Sequence, residues 1–285
     1  MRLAILADIH GNLPALEAVL NNLRNDSIDG FIVAGDMVAG PSSADAIARL
    51  RELNSWMIRG NNENYLLKFA SGSAPDWWFT SRQWAFIRWC YQQIDPETLS
   101  FLHSLPEQRV IKIPGTTAIR VVHGSPRNVS ELVYPDQDIG LLDLALEMTS
   151  EMVLVFGHTH IPWQMLRNRR LALNPGAVAG SFVKKACANY AVLTWQNGCW
   201  NAELRSVDYD IAALREAFHK TGLLENGGAL ARAILFDFEN GGNSSLALVT
   251  HAFGVAASAG YPDCEFVPDE IWEQAAKTFD FEEFR

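Results

Sequence analysis

The feature that most constrains this 285-residue chain is a junction repeated five times, in which a short apolar run stops abruptly at a polar cluster. Leu3–Ala7 runs into Asp8-Ile9-His10, and Phe31–Ala34 into Gly35-Asp36. Residues 56–59 lead to Gly60-Asn61-Asn62-Glu63, residues 118–122 to His123-Gly124, and Met152–Phe156 to Gly157-His158-Thr159-His160. Short apolar runs without helical periodicity read as buried strands. Each cluster therefore falls at a strand end, where open α/β sheets gather their ligands.

Between the first three strands the pattern is helical. Leu13, Leu16, Val19, Leu20 and Leu23 repeat at helical spacing behind Pro14, a residue tolerated in a first helical turn, and a second helix covers about residues 43–53. Strand, helix, strand, helix, strand predicts a parallel sheet. Two later pairs read as hairpins: residues 163–166 with 171–174, and 190–195 with 199–206 around Asn197-Gly198, a dipeptide whose members both accept positive φ. The second half is accordingly expected to be antiparallel. Residues 64–106 form a largely helical, lid-like insert rich in Trp and Phe, and residues 1–207 are expected to make one core around it. Residues 208–285 are expected to be helical at Ile211–His219, Leu246–Ala256 and Ile271–Phe279, separated by Gly-rich pieces at 225–228 and 240–243. Leu246, Val249, Phe253 and Ala256 share one face of the middle helix, so this extension is expected to pack on the core.

The clusters carry the chemistry. Asp8 and His10 are two residues apart, which on an extended backbone puts both side chains on one side, and the same holds for His158 and His160. Together with Asp36, Asn61 and His123 they supply two carboxylates, one amide and four imidazoles. Oxygen and imidazole donors without thiolate suit Mn, Fe, Co, Ni or Zn better than a structural zinc. Two divalent ions sharing a carboxylate can activate a bridging water and clamp both oxygens of an in-line displacement at phosphorus, and Asp36, lying between the other clusters, is the expected bridge. The remaining histidines, His103, His219 and His251, fall in helical stretches and read as ordinary helix residues.

Charge and composition exclude other classes. The net charge is −10, and most of it lies in residues 208–285, where 14 acidic residues stand against 5 basic ones. Neither part has the basic stripe that a long nucleic acid requires. The four cysteines show no CxxC spacing, so they are expected to be reduced thiols. The apolar run at the N-terminus is too short for a signal peptide, and no stretch approaches a membrane span; a cytoplasmic protein is expected.

In the order Asp-x-His, Gly-Asp, Gly-Asn-x-Glu, His-Gly, Gly-His-Thr-His, the clusters resemble the calcineurin-like metallophosphoesterase superfamily. Asn174-Pro175-Gly176 and Val207-Asp208-Tyr209-Asp210 resemble its small YfcE-like phosphodiesterase branch. The resemblance spans residues 1 to about 207. It implies an α/β fold, a four-layer α/β/β/α sandwich of two mixed sheets, here with appended C-terminal helices. It also implies two divalent ions, Mn foremost, one held by Asp8, His10, Asp36 and His160 and the other by Asp36, Asn61, His123 and His158. The implied substrate is a small phosphoester; the absence of a long apolar run adds the expectation of no membrane partner.

One position departs from the pattern. Many members of the superfamily have His after the Gly-Asn, where it contacts the phosphoryl group or protonates the leaving group; here that position is Asn62. An amide can donate a hydrogen bond to phosphate but cannot supply a proton near neutral pH. Asn62 is thus expected to touch substrate, and Glu63 beside it is either catalytic or a buried acceptor for backbone N–H groups. Arg127 is the expected phosphate contact, ahead of Arg59, Lys184 and Lys185. Trp77, Trp78, Phe79, Trp84 and Trp89 either pack the insert or stack a nucleobase. Two other functions fit the pattern: a non-catalytic scaffold of the same fold, and a nuclease of the same superfamily.

Overall fold

The computed structural model describes residues 1–135, 140–183 and 185–284. In chain order the first half runs β1 (Arg2–Leu6), α1 (Leu13–Asn22), β2 (Gly30–Ala34), α2 (Ser43–Arg51), β3 (Ser55–Ile58), α3 (Asn61–Ser71), α4 (Ala85–Gln93), α5 (Pro96–Ser104), β4 (Gln108–Ile111) and β5 (Ile119–Val122). Then follow α6 (Leu141–Glu147), β6 (Val153–Val155), β7 (Trp163–Arg167), β8 (Arg170–Asn174), β9 (Ala188–Gln196), β10 (Cys199–Val207), α7 (Ile211–Lys220), α8 (Leu223–Asn240), α9 (Ser244–Ser258) and α10 (Asp269–Thr278). The first helix begins as its sequence dictates, with the Asn12 side chain accepting from Ala15 N–H ahead of Pro14.

The strands form two five-stranded sheets, ordered β10-β9-β1-β2-β3 and β4-β5-β6-β8-β7. Alternation along β1 explains how they stack. Leu3, Ile5 and Ala7 point to the second sheet, meeting Ile119, Val121, Val153, Val155 and Leu173, whereas Ala4 and Leu6 point to α1, α2 and α4. On the far side, Val122, Leu154 and Ala172 pack on Leu142, Ala145 and Leu146 of α6. This is the α/β/β/α layering with mixed sheets, and its inner faces bury apolar side chains from both sheets, as a sheet covered on both faces requires.

Several local expectations need correction. The second half is only partly antiparallel: both expected hairpins form, but β5, β6 and β8 run parallel, because α6 supplies a crossover and β8 pairs with β6 as well as with its hairpin partner. The β9–β10 hairpin does not join that sheet at all, since β9 pairs antiparallel with β1. Strand β4 escaped the sequence reading because half its residues are polar and only Ile111 is buried. In the C-terminal region the Gly-rich piece at 225–228 does interrupt the helix, with Gly228 non-helical (φ +64°, ψ −149°), but helix resumes at once, so α8 continues on the far side of a kink to Asn240, where no helix was expected. Within α9 it is Leu248, Ala252 and Ala256 that are buried, with Val249 and Phe253 packed partly against them, while Leu246 is 51% exposed.

Helices α7 and α8 share a core with the rest, while α9 and α10 close a separate cluster on Ala229 and Ala233 of α8. Leu214, Phe218, Leu223, Ala231, Leu235 and Phe238 join the cluster of α1, α2, α3 and α4. The insert's aromatic rings are spent on packing: Trp78 stacks on Trp84 (ring centroids 3.4 Å apart), Trp77 on Phe266 (4.6 Å), and Trp89 is buried. Phe79 meets Phe69 edge-on. Arg82 ties the insert to α10 through Asp269 and Glu273.

Candidate metal centre

The five clusters meet where the ends of β1, β2, β3, β5 and β6 converge. The backbone that carries them is unusual. Asp8 (φ +55°), His10 (+44°), Asp36 (+54°), His158 (+68°) and His160 (+56°) all adopt left-handed conformations that non-glycine residues avoid. The expectation that Asp8/His10 and His158/His160 share a side through extended backbone is therefore wrong in its reason. The chain curls, and left-handed residues turn the side chains inward. Each such residue costs of order 1–3 kcal/mol, and their concentration in one place marks a functional site.

The curls are fastened to one another. Asp8 N donates to Gly35 O (3.1 Å), Ile9 N and His10 N to Asp36 O (2.8 and 3.0 Å), and Gly11 N to Met37 O (2.9 Å). Glu63, fully buried in the first turn of α3, accepts from Asp36 N (2.9 Å) and Gly60 N (2.7 Å) through Oε2, and from Met37 N (2.7 Å) and Val38 N (3.0 Å) through Oε1. All of its acceptor capacity in the structure goes to backbone, so of the two readings of Glu63 the structure displays the buried acceptor. Gly60 must be glycine, because a Cβ there would lie 2.2 Å from Asp36 Oδ1. Asn174, buried at the end of β8, donates to Gly157 O (2.6 Å) and Thr159 Oγ1 (3.0 Å), and accepts from Gly176 N (2.9 Å). It thereby sets the loop bearing His158 and His160. The sequence reading gave Asn174 no such role; a buried Asn closing a strand before Pro-Gly was the available signal.

The donor atoms fall into two groups, Asp8/His10/His160 and Asp36/His123/His158, with donor atoms within 4.8 Å of one another in each. Asp36 Oδ2 spans both, 3.9 Å from His10 Nε2 and 3.3 Å from His123 Nε2. Asn61 Oδ1 lies 3.0 Å from His123 Nε2. Behind the rings, His123 Nδ1 meets Ala34 O and His160 Nδ1 meets Gly180 O, both at 2.7 Å. Carbonyls only accept, so both Nδ1 atoms carry hydrogen and both Nε2 atoms face the cluster, the orientation in which a histidine ligates a metal. His160 Nε2 then sits 3.1 Å from His10 Nε2 and 3.4 Å from Asp8 Oδ1. Acceptors so crowded, with two buried carboxylates among them, are a donor set that fits divalent cations.

The electrostatics agree. Burial opposes ionisation of Asp36, yet His123, His10 and His158 around it hold its carboxyl far below the usual range. Burial likewise works against Asp8, which His160 and His123 keep low. His10, buried and beside His160, is pulled down to about 4, whereas burial of His123 is overcome by Asp36, which lifts it to about 10. Burial and the Asp36 charge push Glu63 up to about 7 against its backbone donors. Asp8 and Asp36 are thus held ionised, and the raised His123 supplies part of their counter-charge in the metal-free protein.

The expected substrate contacts are placed otherwise. Asn62, half-buried, donates from its side chain to Asp36 Oδ2 (2.5 Å) and from its backbone to Oδ1 (2.9 Å). Arg127 is turned onto Glu131, with Nε donating at 3.0 Å. Arg59 donates to His103 O (3.2 Å) and Leu105 O (2.9 Å), and Lys185 pairs with Asp208 (2.7 Å). Lys184 lies outside the described residues. Phe182, which the sequence reading passed over, stacks on the His160 ring (centroids 4.7 Å apart).

Comparison with known proteins gives a consistent picture. Residues 1–198 match the family model described as a calcineurin-like phosphoesterase superfamily domain. The chain is 27% identical over 241 residues to an uncharacterized protein of Methanocaldococcus jannaschii, covering 78% of this chain and 94% of that one. It is 25% identical over 193 residues to phosphodiesterase YfcE of Escherichia coli (strain K12), covering 63% and 80%. Among solved structures it resembles a metallophosphoesterase from Sphaerobacter thermophilus (TM-score 0.63, 25% identity, 80% and 97% covered). It shares its fold with a hypothetical protein from Pyrococcus horikoshii OT3 (TM-score 0.69, 22% identity, 85% and 99% covered). Among the described residues no helix is long and apolar enough to cross a membrane.

Proposed function

Since the chain belongs to the calcineurin-like phosphoesterase superfamily, we propose that it is a dimetal phosphodiesterase acting on small diesters. Asp8, His10, His160 and Asp36 would hold one ion, and Asp36, Asn61, His123 and His158 the other; this oxygen and imidazole set fits Mn²⁺, Fe, Co, Ni or Zn, and Mn²⁺ is the one we put first from the family resemblance. When bound, the ions supply Lewis-acidic charge at the phosphoryl oxygens and lower the pKa of a coordinated water. The residues of the chain do the rest. The Ala34 and Gly180 carbonyls aim the rings, Glu63 locks the loop carrying Asp36 onto α3, and the Asn62 amide steadies the Asp36 carboxylate.

The observation that carries the diester reading is how the neighbouring cations are spent. Arg127, Arg59 and Lys185 are engaged by Glu131, by insert carbonyls and by Asp208. A monoester dianion would bring a second negative charge with none of these three to meet it, whereas a diester brings one. Asn62 favours the same class, because it offers no proton to a poor leaving group. The phosphodiesterase YfcE among the relatives adds support.

The test is kcat/KM for bis(p-nitrophenyl) phosphate and p-nitrophenyl phosphate in Mn²⁺. The diester should be preferred by at least about tenfold. Preference for the monoester contradicts the proposal, and hydrolysis of neither by protein that holds two ions points to a scaffold.

A further inference from the structure

The C-terminal helices reach the centre at one place. The loop after β8 donates Val178 N to Ala7 O and Ala179 N to Asp8 O (both 2.9 Å), so it runs alongside the end of β1. Its Gly180 carbonyl orients His160, and its Phe182 ring lies on His160. From the core sheets Asn189 of β9 holds this loop, its N donating to Ala177 O (2.8 Å) and its Nδ2 to Ser181 Oγ (2.7 Å). At Gly180 the end of α8 backs it. A Cβ on Gly180 would stand 2.8 Å from Phe238 Cε1, so the Phe238 ring lies directly against the glycine whose carbonyl holds His160.

The turn that follows α8 is bonded to the same loop. Gly242 N donates to Ser181 O (3.1 Å) and Val183 O (3.2 Å), and Gly241 is packed so tightly that a Cβ would meet Val183 O at 2.5 Å. Asp237, buried, accepts from Ser244 N (2.7 Å) and Ser245 N (2.8 Å), which closes the turn between α8 and α9. A second link comes from Tyr209. Its hydroxyl donates to Phe238 O, and it lies beside the side chain of Asn12, two residues beyond His10. The extension therefore braces His160 of the Asp8/His10/His160 group and reaches as far as Asn12 on the loop that carries His10. Among the described residues the Asp36/His123/His158 group is backed instead by Ala34 O and Glu63, both outside the extension.

We propose that Phe238, seated by Tyr209 and the Asp237–Gly242 turn, is a positioning residue for His160, so that the C-terminal extension sets the affinity of one of the two metal sites. The inference rests on the dimetal reading above. It gives the extension a task in the site, carried out by packing rather than by contact with substrate.

The test uses the full chain and Mn²⁺ alone, and compares two backgrounds. His123→Ala leaves the Asp8/His10/His160 site, and His10→Ala leaves the other. Phe238→Ala should weaken Mn²⁺ binding at least tenfold in the first background and less than twofold in the second. Tyr209→Phe, which removes one hydroxyl and keeps the ring, should give the same split at about threefold, and it decides the matter if Phe238→Ala does not fold. A second readout needs no metal: the His160 ring nitrogens of the metal-free protein should show one tautomer by NMR in the wild type and exchange in the variants. Equal losses in both backgrounds, or no loss in either, would overturn the positioning role while leaving the dimetal reading intact. A wild type that takes up no Mn²⁺ pair would fail at the earlier step and remove both.

Discussion

The Asn62 side chain donates to Oδ2 of Asp36 at 2.5 Å while its backbone N–H donates to Oδ1 of the same carboxylate at 2.9 Å. The residue that stands where a proton donor would be expected is thus tied to the carboxylate expected to bridge two ions. Its amide keeps that carboxylate oriented and has no proton to give.

From this follows a dependence on the leaving group. General acid catalysis is typically worth about 10²–10⁴-fold, and Asn62 does not provide it. kcat/KM should fall steeply across a series of diesters as leaving-group pKa rises. Asn62→His, with its ring next to Asp36, should recover part of the loss, most for alkyl esters and least for nitrophenyl diesters. A wild type insensitive to leaving-group pKa, or an equal change on every substrate, would show that another group supplies the proton.

Glu63 should matter to the fold more than its neighbours do. In Glu63→Gln one acceptor oxygen becomes an NH₂ that faces backbone N–H groups of the Asp36 loop or of Gly60. Buried donors left unpaired cost about 1–3 kcal/mol each, so a loss of roughly 2–4 kcal/mol is expected. Urea unfolding of the metal-free protein measures it. A change under about 0.5 kcal/mol would mean the carboxylate is not the fastener described here.

How much of this was legible in the chain depends on whether the signal was local. The clusters at Asp8, Asp36, His123 and His158 could be read because apolar runs ending in polar residues mark strand ends whatever surrounds them. The Asn197-Gly198 hairpin could be read because both residues tolerate positive φ, and both adopt it (+53° and +78°). The interruption at Gly227-Gly228 could be read for the same reason, and Gly228 takes a non-helical conformation there. The helical residues beyond it were not read, although Ala231, Leu235 and Phe238 share one face and are buried against the core. The left-handed curls at Asp8 and His10 were hidden because their backbone N–H groups donate to carbonyls of residues 35–37, far off in the chain, and no spacing rule in residues 8–10 announces them.

The thiols report on how α4 packs. Cys90 is buried against Gly40 O, and burial pushes its thiol up to about 12, whereas Cys199 is exposed. At pH 8 the thiolate fraction at Cys90 is negligible, so iodoacetamide should label Cys199 in the native protein and reach Cys90 only after unfolding. Mass spectrometry of the alkylated peptides reads this directly. Fast labelling of native Cys90 would show that α4 does not seal against the loop at Gly40.

The central claim is that Asp36 joins two metal sites in one hydrolytic centre. The most direct measurement is Mn²⁺ content per chain, together with turnover of bis(p-nitrophenyl) phosphate, for wild type and Asp36→Asn. Two ions in the wild type are expected, with weakened binding of both in the variant. Turnover should drop roughly 10²–10³-fold, the range for losing one electrostatic stabiliser of a reaction. An Asp36→Asn protein that holds two ions as tightly as the wild type and turns over at a near-normal rate would contradict it.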